Sequence, residues 1–467
     1  MRLKQLSLAN FRGFEQINLT FDPKVTVIAG VNGAGKSGLL HALTILFAHA
    51  LPEFTPSRTI RNPPSLADED IAYGRSSLTS LMVFQHAELS MEAVGTRARV
   101  TQEKLALLDD KLKAIRQEIR YAGKNDRKKL RALQLEEQTL LAAQTQPDDE
   151  YDLLLPVVGN QSREGVLRQL RESGDAPLAI LFTPNRQLSE RPRTLASPAP
   201  FEPESAYLDA LSERSLRLGD FMAWFNSMEK LPGKGQKRRR KVVSRLKEVV
   251  TTFVPEFCDL RIEVEPHLRF VVDKESTNKH GKKIRTPLSF HQLSDGERGL
   301  MAILFDITRR LVIANPEADD PVSEGSAVVL IDEIELHLHP LWQRQVLRRF
   351  TETFKQCQFV VTSHSPLVLG EVEAKSIRFL YRDEGKVKSW TPDFALGLDA
   401  NRILEDLMSV KSRDPAVAER ITEMFQAIDA ENFPSARLKI AALEKTLGQN
   451  DPELTRARSL MAFLEGE

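Results

Sequence analysis

The sequence predicts an α/β fold: a core sheet of buried strands with an antiparallel β subdomain, interrupted by a helical hairpin and closed by a helical tail. Three observations predict it. The apolar run VTVIAG at 25–30 passes through a glycine turn into the apolar stretch LLHALTILFAHAL at 39–51. Two further runs, AVVLIDE at 327–333 and QFVVTSH at 358–364, are short, β-branched and end in polar residues. Between 101 and 143 the apolar spacing changes to alternating threes and fours.

Taken in order, Leu3, Leu6 and Leu8 before NFRGF, then INLTF, read as two strands and a turn, with VTVIAG as the buried strand that follows. The stretch 51–80 is rich in Pro, Ser and Arg and reads as loop; SLMVFQHAELSMEA at 80–93 reads as a strand. Leu105, Leu108, Leu112, Ile115 and Ile119 form a heptad seam. After the polar break AGKND at 122–126, a second helix to about 142 completes an antiparallel hairpin roughly 25–30 Å long. LAILFTP at 178–184 is a strand, 205–229 and 236–253 are helical, and CDLRIEV and LRFVVDK form a hairpin leading into a polar turn at 274–283. SIRFLYRD and KVKSW make a last strand pair. From Ala400 the chain is helical, with DP, NFP and NDP starting new helices and Leu404, Leu407 and Met408 on one apolar stripe.

Composition narrows the classes. Sixty-five Lys and Arg balance sixty-five Asp and Glu, which excludes a protein that coats nucleic acid with its whole surface. Cys258 and Cys357 match no metal-ligand spacing and read as reduced thiols. The N-terminus has no signal-peptide pattern, and the longest apolar stretch is too short to span a bilayer. A cytoplasmic protein without membrane contact is the expectation.

GVNGAGKS at 30–37 fits G-x-x-x-x-G-K-[ST] between a strand and a helix, where the motif has chemical meaning. Gly30, Asn32, Gly33, Ala34, Gly35 and Gly38 belong to a backbone curl whose N–H groups face phosphates. Lys36 reaches the β- and γ-phosphates, and Ser37 ligates Mg²⁺. VVLIDEIE places Asp332 at a strand end to hold that Mg²⁺ and Glu333 next to it to orient or deprotonate the attacking water. His364 ends the next strand, placed to touch the γ-phosphate. ATP and Mg²⁺ are the cofactors this set implies, with Lys36, Glu333 and His364 as the catalytic group.

With LSDGERG at 293–299 added, the chain resembles the ABC ATPases, whose signature is LSxGE. The resemblance implies an ABC-ATPase head with a helical signature lobe. It also implies that Ser294, Gly296 and Glu297 close over the nucleotide of a second protomer, so that two heads sandwich ATP. NFRGF, the inserted hairpin and IDEIELHLHP resemble the RecF, SMC and OLD branch, in which Glu335 to Pro340 cross the dimer interface. His337 and His339 therefore read as interface and helix-start residues rather than metal ligands. Gln187 or its neighbour Arg186 would be the Mg²⁺-sensing Q-loop residue, and Arg12 would approach nucleotide or DNA. The hairpin is short and lacks a zinc hook, and the tail carries no DxD pair, so tethering and DNA cutting by this chain are not expected. In size and tail it resembles the PtuA-type ATPases of the Septu anti-phage system, whose partner is an HNH nuclease. A RecF-like repair clamp without a nuclease is the alternative.

KLPGKGQKRRRKVVSRLK at 230–247 holds nine Lys or Arg and no carboxylate. Lys237, Arg238, Arg239, Arg240 and Lys241 are the candidate contacts to DNA phosphates. The expected divisions are a first head lobe at 1–98, the hairpin at 99–146, a mixed segment at 147–290, the signature and strand-end motifs at 291–395, and a tail at 396–467 that binds a partner or builds an oligomer.

Overall fold

A computed structural model describes residues 1–56, 63–99, 102–121, 133, 136–137, 148–156, 161–173, 177–186, 202–212, 217–230, 236–278 and 280–465. It divides into two compact units, Met1–Gly397 and Leu398–Glu467.

The first unit is built on a six-stranded sheet in the order β14-β13-β3-β12-β11-β7. Its strands are β3 (Val25–Gly30), β7 (Leu178–Phe182), β11 (Ala327–Ile331), β12 (Cys357–Ser363), β13 (Ile377–Asp383) and β14 (Lys386–Trp390). All neighbouring pairs are parallel except β13 with β14. Every residue of β11 and β12 is buried, which explains why these strands read as continuous apolar runs. The register decides the site. Ala29 pairs with Ser363, and Ile331 pairs with both Val361 and Phe182. The C-terminal ends of β3, β12, β11 and β7 therefore stand side by side, with β12 between the glycine turn and Asp332.

A five-stranded antiparallel sheet, β2-β1-β4-β5-β6, forms the β subdomain. It joins β1 (Arg2–Phe11), β2 (Phe14–Thr20), β4 (Ser77–His86), β5 (Leu89–Ala98) and β6 (Asp148–Leu154). The single strand expected over 80–93 is thus two strands, turning at Ala87 and Glu88, both at positive φ. The alternation of buried residues restarts across that turn, a break the apolar count alone does not reveal. Helix α1 (Lys36–Phe54) buries nearly its whole length against this sheet. It runs into the region expected to be loop.

Helix α2 (Gln102–Tyr121) occupies the first half of the expected hairpin. Leu112, Ile115 and Leu133 are buried, and Arg116 Nε lies 2.7 Å from Glu137 Oε1, so these residues of the second half lie alongside α2. The tip AGKND lies outside the described residues. Helix α3 (Arg163–Glu172) and strand β6 were not anticipated; the acidic run DDEYDLL hid the strand's buried face.

A third layer holds α4 (Leu218–Lys230), α5 (Gln236–Phe253) and α6 (Asp295–Ala314) with the sheet β10-β9-β8, whose first strand in the chain is β8 (Phe257–Glu263). The helix expected from 205 is instead a one-turn segment at Pro203–Ala206, with α4 beginning only at Leu218. The polar turn expected at 274–283 is shorter. Strand β9 (Arg269–Thr277) runs on into it, and β10 (Lys283–Ser289) pairs back. Phe221, Phe270 and Phe305 join these elements, with Phe221 stacked on Phe305 at 4.0 Å between ring centroids.

The second unit packs α8 (Pro415–Asp429), α9 (Phe433–Leu447) and α10 (Pro452–Glu465) around Met424, Ile428, Leu443 and Leu454. Each start follows the expected Pro signal; Asp414 and Asn432 cap the first two. Among the described residues no helix is long and apolar enough to cross a membrane.

Candidate active site

The glycine turn is shaped by its neighbours. Gly30, Gly33 and Gly35 have φ of 145°, 77° and 95°, a region that side chains strain to enter. A Cβ on Gly30 would stand 2.5 Å from the Leu380 carbonyl oxygen, and one on Gly35 would stand 2.6 Å from the Phe14 ring. Gly33 faces open space, with its carbonyl held by Arg382 at 3.0 Å. Gly35 caps α1 without a side-chain partner, so the first N–H groups of a nineteen-residue helix are presented to an anion. Asn32 and Gly33 are exposed in the turn, Ala34 is near its base, and Ser37 and Gly38 lie in the first turn of α1.

Lys36 is buried and donates to the carbonyls of Gly30 at 2.8 Å and Val31 at 3.2 Å. Burial lowers its pKa, and the nearby charges of Glu335, Asp332 and Glu333 work against that shift. A phosphate at the turn would replace these two carbonyls as the ammonium's partner.

Across β12, Thr362 locks the end of β11. Its hydroxyl donates to Asp332 Oδ1 and accepts the N–H of Glu333 at 2.8 Å, and its carbonyl accepts Ile334 N–H at 3.1 Å. Glu333 sits at φ 49°, which turns its side chain out of the strand direction. Asp332 is buried, and Glu333 is partly exposed. Arg186, 5% exposed, clamps the same turn by donating to the carbonyls of Asp332 at 2.6 Å and Glu333 at 2.8 Å. Burial pushes its guanidinium down to about 10, against the pull of Glu335, Asp332 and Glu333. Of the two residues considered for the Q-loop, Arg186 is therefore at the site; Gln187 lies outside the described residues.

His364 has a half-exposed ring whose Nδ1 lies 2.9 Å from Glu335 Oε1. Sequence reasoning placed His364 but assigned Glu335 only to a crossing loop. The period-two spacing of carboxylates in DEIE was the signal available for it. Thr362 carried no signal beyond its place two residues before His364.

The signature turn stands apart from these groups in the chain. Ser294 is exposed and caps α6, accepting Glu297 N–H at 3.3 Å and donating to Glu297 Oε2 at 2.9 Å. Glu297 is buried and paired with Lys274 at 3.0 Å. Burial alone would raise its carboxyl, but hydrogen bonds from Ser294 and Lys274 hold it below the usual value. Gly296 is buried: a Cβ there would lie 2.2 Å from the His337 carbonyl oxygen. Of the three, only Ser294 offers a side chain to solvent. His339 caps α7 (Pro340–Thr353), accepting Leu341 N–H at 3.3 Å.

Arg12, at φ 48°, lies across the first turn of α1, its Cδ within ordinary contact of Gly38. Asp70 holds it twice, through its carbonyl at 2.6 Å and its Oδ1 at 2.7 Å. The basic run is partly engaged by its own chain. Arg238 donates to Ala318 O at 2.6 Å and Lys241 to Asp319 O at 3.2 Å, and Arg239 is half-buried. Lys237 and Arg240 are exposed.

The fit to a nucleoside triphosphate with a divalent cation rests on this geometry: a cradle that a Cβ would fill, a buried ammonium facing it, and a carboxylate on the far side of the single intervening strand β12. Two family models match the chain. Residues 1–156 match "AAA ATPase domain", and residues 149–370 match "AAA domain, putative AbiEii toxin, Type IV TA system". The chain is 34% identical to the Retron Ec83 probable ATPase of Escherichia coli over 47% of its own length and 38% of the relative's. It is 25% identical to the Retron Vc95 probable ATPase of Vibrio cholerae over 84% of its length and 76% of the relative's. It is 27% identical to the Septu protein PtuA of Bacillus thuringiensis over 31% of its length and 38% of the relative's. The matched region thus covers well under half of the Ec83 and PtuA relatives.

Proposed function

Because the chain belongs to the ABC-type ATPases of the RecF, SMC and OLD branch, we propose that it is a nucleotide-operated switch: ATP joins two copies head to head, and hydrolysis lets them part. The observation that carries this reading is the convergence of Lys36, Asp332, Glu333 and His364 on one sheet edge, with Ser294 left exposed on a different element. In this reading Lys36 holds the β- and γ-phosphates and the N-terminus of α1 their negative charge. Mg²⁺, bound by Ser37 and Asp332, would neutralise charge developing on the phosphate oxygens. Glu333 orients and deprotonates the attacking water, and His364 meets the terminal phosphate. Ser294 and the Gly296 turn of the second copy close the pocket.

The relatives named for retrons and for Septu support a role in anti-phage defence, in which the paired heads control a separately encoded nuclease of HNH type. Exposed Lys237 and Arg240 support contact with DNA. A RecF-like clamp without a nuclease is the second reading, favoured by the same basic residues. Native mass spectrometry with mass photometry separates the two: an HNH protein co-purifying with the chain supports defence, and paired heads on DNA alone support the clamp. The switch itself is tested by Ser294→Arg. ATP-dependent pairing and turnover should be lost while nucleotide binding to the isolated head is kept; unchanged pairing would refute the shared pocket.

A further inference from the structure

Glu333, the proposed base, has left-handed backbone at φ 49°, which a residue with a side chain keeps only where its surroundings hold it. Two peptide planes meet at its Cα, and all four of their polar groups are taken. From β12, Thr362 accepts the N–H of Glu333 at its hydroxyl, 2.8 Å away, and the N–H of Ile334 at its carbonyl, 3.1 Å away. From just past β7, on the opposite side of β11, Arg186 donates Nη1 to the Asp332 carbonyl at 2.6 Å and Nη2 to the Glu333 carbonyl at 2.8 Å. Leu336 N–H shares the second of these carbonyls at 3.0 Å.

Consecutive carbonyls of an extended strand point to opposite sides, out of reach of a single planar guanidinium. The turn at Glu333 brings them to one side, where the fork of Nη1 and Nη2 spans both. Arg186 is 5% exposed, so water scarcely competes for these donors. A guanidinium has donors only and ligates no cation, so the Mg²⁺-sensing role considered for this position is not open to it.

We propose that Arg186 is a positioning residue: it locks the backbone of Glu333 in the left-handed turn and so aims that carboxylate at the attacking water. This rests on the ATPase reading above. Without the fork, the Asp332 and Glu333 carbonyls lose their shared partner, the backbone between them relaxes toward the extended form, and the carboxylate moves with it.

The test is a mutant cycle on the full chain. In Arg186→Met, kcat for ATP should fall by roughly 10–100-fold. KM, the affinity for the β,γ-imido analogue of ATP and the Mg²⁺ concentration for half-maximal binding should keep their wild-type values, because the arginine touches neither nucleotide nor cation. In a Glu333→Gln background, single-turnover hydrolysis should be no slower with Arg186→Met than without it, since the arginine acts through that carboxylate. Arg186→Lys keeps the charge on a single donor point and should lie between Met and wild type; it carries the same cycle if the Met variant folds poorly. Arg186→Gln, which offers a cation ligand, should behave as the Met variant does. Wild-type kcat in both Arg186→Met and Arg186→Lys, a loss confined to KM, an altered Mg²⁺ requirement, or further slowing of the Glu333→Gln protein overturns the proposal and leaves the proposed function standing. A wild type without ATP turnover overturns both.

Discussion

Thr362 on the middle strand β12 holds the end of its neighbour β11, donating its hydroxyl to Asp332 and accepting the N–H of Glu333 at 2.8 Å. One side chain thus sets the direction of the proposed cation ligand and of the proposed base. Thr362→Val keeps the shape and removes both bonds. Second-sphere losses of this kind cost about 10–100-fold, so Mg²⁺-dependent ATP turnover should fall by that factor. Nucleotide affinity without the cation should change little, and Thr362→Ser should restore turnover.

Gly35→Ala tests the cradle. Its Cβ would meet the Phe14 ring at 2.6 Å, and φ of 95° strains any side chain. ATP binding, read with a fluorescent analogue, should weaken at least tenfold, a cost of about 1.4 kcal/mol. Gly33→Ala meets nothing within 4 Å, and only its φ of 77° opposes it, so its effect should be smaller.

Asp70 makes acid stability measurable. Burial would raise its carboxyl, but the His41 ring 3.7 Å away and hydrogen bonds from the Ala67 N–H and Arg12 hold it down at about 2, from 3.8 when free. A depressed folded value means a contribution fully present above the free value and lost as pH falls from about 4 toward 2. That contribution is roughly 2 kcal/mol for a shift of this size. Asp70→Asn should lower stability in urea at neutral pH by about that amount and flatten its decline between those pH values. An unchanged acid limb would remove Asp70 as the tether of Arg12.

The basic helix separates packing from DNA contact. Lys237→Glu with Arg240→Glu alters exposed positions, so it should leave thermal stability unchanged and, if DNA is bound there, reduce the salt slope of binding by about one to two ions. Arg238→Glu breaks the bond to Ala318 and should lower stability as well. Unchanged DNA retention by the double variant assigns the run to packing alone.

What the sequence revealed follows from how local each signal is. The glycine turn, the strand-end carboxylates and His364 are legible because phosphate chemistry demands particular residues at fixed spacing, and buried strands leave continuous apolar runs. Strand β6 was not legible, since its acidic residue Asp149 meets a cation far away in the chain, Arg97. Arg186 was ambiguous for the same reason: its two acceptors lie about 150 residues downstream, and no local pattern marks them. The boundary at Ala87 and Glu88 was missed because two polar-compatible residues can turn the chain without Gly or Pro.

The hydrogen on Gly296 leaves just enough room for the His337 carbonyl. Backbone meets backbone there, without a compliant side chain as a cushion, so any side chain at position 296 would have to push the start of α6 away from the bend after β11.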